Sequence, residues 1–284
     1  VKGTELNTEF DNIATAIATK NDSISYGAGV STFLATPSSA NLRSAVTDET
    51  GTGTVVMSGA NTYTGNTTVN AGTLSISGKI YSGLNGSGPI VTVNSGAVLS
   101  LGAWQWDGSL GTLYYDKTAL VINGGTLQYT GSTGYSTDRL FTIGTGTSGA
   151  TIDASGSATL TFTNTSTLAT TGTGTRTLTL TGSGNGSLAS IIPDDGSSNA
   201  TALTKSGAGI WTLSSASSSY TGVTTISAGT LALSTAGAIA NSSEVANSGT
   251  FDISGTTSGA SIKTLSGAGG VTLGAKTLTI TTGA

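Results

Sequence analysis

YTGNTTVNAGTLSIS, residues Tyr63 to Ser77, returns at Tyr220 to Ser234 as YTGVTTISAGTLALS. Ten of the fifteen positions are identical, and the exchanges are mild: Val69 for Ile226, Asn70 for Ser227, Ile76 for Leu233. Each copy reads as two short strands around a tight corner. TTV or TTI comes first, NAG or SAG makes the corner, and TLSI or TLAL follows. Thr, Val and Ile suit a pleated, half-buried surface. Gly72 and Gly229 stand where a left-handed backbone costs least. A unit this small has no second layer against which to bury an apolar face. It needs copies stacked above and below, which is the logic of a solenoid. The alternation predicts Val69, Leu74 and Ile76 inside, together with Ile226, Leu231 and Leu233.

Looser versions of the unit fill the chain around these two copies. PIVTVNSGAVLSL (89–101) turns at Asn94-Ser95-Gly96, and LVINGGTLQY (120–129) turns at Asn123-Gly124-Gly125. ATIDASGSATLTF (150–162) and VANSGTFDI (245–253) follow the same plan. The expected fold is therefore mainly β, a parallel β-solenoid or β-helix over residues 54–284, with about 20 to 25 residues per coil. The chain closes just after the strand LTI at 278–280 with no obvious polar cap. Solenoids normally carry one, so the protein is expected to continue.

Composition narrows the function classes. Glycine contributes 43 of 284 residues without a triplet period, which excludes a collagen-like chain. Only 8% of residues are charged, and β-branched residues abound, against the profile of a disordered chain. The net charge of −4 and the lack of any Lys/Arg cluster argue against a nucleic-acid partner. Cysteine and histidine are both absent. Thiolate metal sites, imidazole ligands and the commonest general base are thereby removed, and no metal or cofactor is expected. GTGT and GAGG strings precede no Lys-bearing helix and read as corners, not phosphate loops.

The N-terminal fifth has a different period. In TELNTEFDNIATAIATK (4–20), Leu6, Phe10, Ile13 and Ile17 are spaced four, three and four, a heptad seam. Thr4 is placed to cap the helix, and Glu5, Glu9 and Lys20 suit its dipole. Residues 1–22 are read as a helical oligomerisation or attachment segment, either packed on the chain's own solenoid or joined in a parallel bundle. Ile at core positions favours three strands, hence a homotrimer. Residues 23–53 form a connector with a second short helix near 37–47, where Pro37 takes the first helical position.

Six of the sixteen aromatic residues gather between Gly102 and Asp138. Trp104, Trp106, Tyr114, Tyr115, Tyr129 and Tyr135 surround Asp107 and Asp116. Aromatic faces beside acids are what a sugar-binding surface uses, so Trp104, Trp106, Asp107, Tyr114 and Tyr115 are candidate glycan contacts. The alternative is that Trp and Tyr plug the interior or an inter-chain contact. Glycan cleavage would need two facing carboxylates, about 5–10 Å apart. The near pairs in sequence are Asp107 with Asp116 and Asp194 with Asp195, the latter read as a solvated turn. Strand-borne Asp153 and Asp252 remain a further possibility if stacked coils bring them together. No catalytic residue is assigned, and no enzymatic activity is expected.

Two resemblances add to this reading. GTELNTEFDNIATAIATKND (3–22) and GVSTFLATPSSANLRSAVTDETGTG (29–53) resemble segments of tail fibre proteins of tailed bacteriophages. SGANTYTGNTTVNAGTLSISG, TKSGAGIWTLSS and LSGAGGVTLGAKTLTI resemble the autotransporter-associated β-strand repeats of bacterial secreted passengers. Both are extracellular fibrous families. The first implies a virion protein, a tail fibre subunit that adsorbs to the host surface or spaces a receptor-binding tip. Its partners would be its own copies, other tail proteins at the N-terminus, and a host surface glycan or protein. The alternatives are an autotransporter-like adhesin passenger and a fibre with glycan depolymerase activity.

Overall fold

In a computed structural model the chain divides into two units, 1–50 and 51–284. The structure describes Asn12 and residues 53–57, 60–61, 65–77, 79–80, 90–102, 117–144, 149–196 and 199–282. The predicted seam Leu6, Phe10, Ile13 and Ile17 and the helix near 37–47 lie outside the described residues.

The second unit is a parallel β-solenoid, since among the described residues every pairing between strands is parallel and joins one coil to the next. Its long sheet has ten strands: Thr54–Met57, Thr73–Ile76, Val98–Leu101, Thr126–Tyr129, Ala150–Ala154, Arg176–Thr181, Thr201–Lys205, Thr224–Ile226, Val245–Asn247 and Leu265–Ser266. A second sheet of seven strands begins at Tyr135–Thr137 and ends at Gly270–Thr272. A third, of five, runs from Thr67–Val69 to Ala169–Thr170.

Alternation sets the inner face. In Thr73–Ile76, and over residues 230–233 of the strand Thr230–Thr235, every second residue is buried. Val69, Leu74, Ile76, Ile226, Leu231 and Leu233 are all buried, as their phase predicts. Parallel pairing then stacks like on like: Leu74 over Leu99, Leu99 over Leu127, Leu127 over Ile152, Ile152 over Leu180. Burying a Leu or Ile side chain contributes about 1.5–3 kcal/mol, so each such column is a main source of stability. Aromatic residues enter the same interior. Trp211, Tyr129, Phe141, Phe162 and Phe251 are fully enclosed, and Phe141 meets Phe162 edge to face at 5.6 Å. For Tyr129 the interior reading is the correct one, while Tyr135 is half-buried against the core.

The two copies of the opening stretch do not occupy equivalent faces. In the first, Thr67–Val69 lies in the third sheet and Thr73–Ile76 in the long sheet. In the second, Thr224–Ile226 lies in the long sheet and Thr230–Thr235 in the second sheet. The repeated unit has moved round by one face. Both corners take the same left-handed glycine, with φ of 67° at Gly72 and 63° at Gly229. One corner chemistry thus serves different pairs of faces.

The coil also changes length along the unit. Tyr135 pairs with Leu160 and Gly186 with Trp211, an advance of 25 residues each time. Farther on, Trp211 pairs with Leu231, Leu231 with Phe251 and Phe251 with Val271, an advance of 20. The shortening falls where the third sheet has ended. Residues 214–223 and 236–244 carry no strand, and that side of the coil is held by separate bonds. The Ser219 amide donates to the Ile192 carbonyl, the Ala238 amide to that of Ser215, and Asn241 Nδ2 to that of Ser218.

Candidate functional site

The residues that sequence marked as possible glycan contacts, Trp104, Trp106, Asp107, Tyr114 and Tyr115, lie outside the described residues, as does Asp116. The other candidate acids are placed. Asp153 belongs to the long sheet and Asp252 to the second sheet, so they do not share a column. Asp153 accepts from Gln128 Nε2 of the coil before it, at 2.9 Å.

Asp194 and Asp195 are not a merely solvated turn. Asp194 Oδ1 accepts from the Thr201 amide at 2.7 Å, and its Oδ2 accepts from the Thr221 hydroxyl at 2.6 Å. The Thr221 amide also donates to this carboxylate at 3.1 Å. One carboxylate thereby ties Asp194 to the start of the next long strand and to the coil after it. Asp195 takes a hydrogen bond from Arg176 Nη2 at 3.1 Å. The Arg176 side chain has no exposed surface, and Nη2 also donates to the Gly172 and Gly174 carbonyls. Its Nε and Nη1 are buried with no hydrogen-bond partner.

A run of buried polar groups follows on the inner face of the long sheet. Lys205 is fully buried. Its ammonium donates to the carbonyls of Ser206 at 2.6 Å, Gly207 at 2.8 Å and Ala228 at 3.1 Å. Burial pushes this ammonium down to about 8, because the charged form loses water. Thr224 donates to Ser242 Oγ at 2.9 Å and bonds the Tyr220 hydroxyl at 2.7 Å. Ser242 in turn donates to the carbonyls of Gly222 and Glu244. Burial raises the Tyr220 phenol, an effect the Thr224 bond opposes. Asn247 Nδ2 donates to the Gly270 carbonyl at 2.8 Å. These groups are consumed by backbone carbonyls and hydroxyls, and their chemistry is that of clamps.

Sequence reasoning passed over these residues, although their phase exposes them. In RTLTLT (176–181), Arg176 is in step with Leu178 and Leu180; in TALTK (201–205), Lys205 is in step with Leu203. On the outside, a short asparagine ladder marks one corner: Asn94 Nδ2 donates to Asn70 Oδ1 at 2.8 Å, and Asn123 Nδ2 to Asn94 Oδ1 at 3.1 Å. It stops at Gly144, where a Cβ would lie 2.3 Å from Asn123 Cα.

The passenger-associated transport repeat model matches residues 50–76 and 203–233. Those segments hold the two copies of the strand–corner–strand unit and, in the second, Lys205, Trp211 and Tyr220. No curated protein matches the chain, and no solved structure does. The chain is thus similar, over two segments, to the repeat of transported passengers.

Proposed function

We propose that this chain is a subunit of a bacteriophage tail fibre whose solenoid is the shaft, adsorbing to the host surface or carrying a receptor-binding tip. Passenger-type repeats on a parallel β-solenoid fit a fibre shaft or an autotransporter-like passenger, both of them extracellular. The observation that carries the spacer role is the ladder of ten parallel strands around an interior filled by side chains. Such a body transmits position and holds its outer faces at fixed spacing, so several weak contacts along it sum to avidity. The likeness of residues 3–22 and 29–53 to tail fibre segments supports the virion as owner. Residues 4–20 join three copies, the N-terminus meets other tail proteins, and the outer end meets a host glycan or protein. No glycan is cleaved. Electron microscopy of particles labelled for this chain is expected to show the label on tail fibres; label elsewhere would refute the reading. Mass in solution is expected to be that of a trimer, and Ile13→Asp is expected to loosen the N-terminal joint while the solenoid stays folded. New reducing ends after incubation with host polysaccharide would refute the non-catalytic role.

The matched repeat favours a second reading, an autotransporter-like adhesin passenger. A secretion signal and membrane barrel encoded in the same gene would decide for it.

A further inference from the structure

The inner columns of the C-terminal coils discriminate poorly between neighbours. Trp211, Leu231, Phe251 and Val271 occupy one column at a constant advance of 20 residues. A slip that looped out one whole coil would set Trp211 on Phe251 and still place apolar on apolar. Repeats this alike therefore need something else to hold their pairing.

Four consecutive strands of the long sheet each include a buried polar side chain bonded toward the following coil. Arg176 reaches Asp195, Lys205 reaches the Ala228 carbonyl, Thr224 reaches Ser242, and Asn247 reaches the Gly270 carbonyl. The four are chemically distinct, and all are at most 1% exposed. Looping out the coil next to any one of them removes its cross-coil partner, whereas the apolar column loses nothing. Arg176 is left only the Gly172 and Gly174 carbonyls, Lys205 only those of Ser206 and Gly207, Thr224 only the Tyr220 hydroxyl, and Asn247 Nδ2 none. We propose that Arg176, Lys205, Thr224 and Asn247 are register pins that stop the near-identical coils from pairing one repeat out of step. The use of a buried polar residue to fix register has a parallel in single Asn residues of coiled-coil seams.

The chain has no cysteine of its own, so introduced pairs report register directly. Thr212 is opposite Ala232, and Ala232 opposite Asp252, all on the outer side of the second sheet. Neighbouring strands lie about 4.8 Å apart and alternate ones about 9.6 Å, so T212C/A232C closes in the native register and T212C/D252C only after a one-coil slip. Each pair is placed in the full chain with its pins, and in a chain bearing Arg176→Met, Lys205→Met, Thr224→Val and Asn247→Leu. All are denatured, refolded and oxidised. With pins, the T212C/D252C disulfide is expected to stay marginal; without them, it is expected to rise severalfold while strand content by circular dichroism is kept. A pinless chain that refolds with T212C/A232C alone overturns the proposal. If the fourfold variant loses its strand signal, the same readout is applied to Lys205→Met with Asn247→Leu. Unfolding of that pair as well assigns these groups to stability and overturns the register role.

Discussion

A Cβ built on Gly209 would lie 1.7 Å from the carbonyl oxygen of Gly184, one coil earlier. Gly184 itself would meet the Gly156 oxygen at 2.0 Å, and Gly249 the Gly229 oxygen at 2.7 Å. The corner between the long and second sheets is closed by backbone on backbone, so a methyl group there must push two coils apart. Gly209→Ala is expected to destabilise the solenoid by more than ~3 kcal/mol, the scale of severe overpacking. Gly134, with nothing within 4 Å of its Cβ position, is the control. Gly134→Ala is expected to be neutral or to stabilise by about 0.4–1 kcal/mol through the unfolded chain. Urea melts of both variants check this. Lys205 gives a pH signature. Its pKa falls to about 8 in the fold against 10.5 ordinarily, so between those values the unfolded chain binds more protons and stability rises with pH. Above about 10 the rise is opposed, because the Tyr129 and Tyr220 phenols, raised by burial, ionise more readily when unfolded. Thermal melts from pH 8 to 10 are expected to shift upward in the wild type, by at most about 1.4 kcal/mol per pH unit, and to lose that shift in Lys205→Met.

At the scale of elements, strands and corners are tuned to each other across coils. Gly186 lacks a side chain because the Trp211 ring fills that space: a Cβ there would lie 2.5 Å from Trp211 Cε2 and Cζ2. The indole is then fixed by its Nε1 donating to the Thr181 carbonyl at 2.9 Å. Gly186→Ala alone is expected to be strongly destabilising, and Trp211→Leu to relieve it. A double-mutant cycle should return a coupling above ~1 kcal/mol, as for residues in direct contact. A coupling near zero would show that the column relaxes freely. Asp194→Ala removes the acceptor for Thr201 and Thr221 and is expected to cost about 1–3 kcal/mol, with faster hydrogen exchange at the Thr201 and Thr221 amides. The strands themselves were legible, because TLSI and TLAL alternate cleanly and their inward Leu and Ile could be named. The burial of Lys205 was legible only to a reader who trusted phase over charge. That the repeated unit would change faces was not legible at all. An Asn-Ala-Gly or Ser-Ala-Gly corner has the same local chemistry whichever two sheets it joins, and only pairing with neighbouring coils decides. For the aromatic cluster at 104–115 and the seam at 6–17 there is no comparison, since both fall outside the described residues.

For the solenoid unit as a whole, stability is a sum over coils and the interfaces between them. Residues 231–250 make one coil of the 20-residue kind, and Thr230 and Thr250 stand opposite each other, as do Leu231 and Phe251. Deleting 231–250 joins Thr230 to Phe251, which takes the place of Leu231 in their shared column. The shortened chain is expected to fold with its circular dichroism per residue unchanged, its melting temperature lowered by the lost coil and by the loss of Ser242, the cross-coil partner of Thr224. Deleting 231–240, half a coil, is expected to abolish cooperative melting, since it turns every later inner residue onto the wrong wall. The migration of the repeated stretch from one pair of walls to the next has a bearing on ancestry. If such a chain grew by copying strand–corner–strand pieces, it could lengthen in fractions of a coil. Each copy would then inherit its corner but not its compass bearing. Decoration grafted at the same point of two sister copies would emerge on different sides of the solenoid, so one small ancestral piece could furnish several directions of contact.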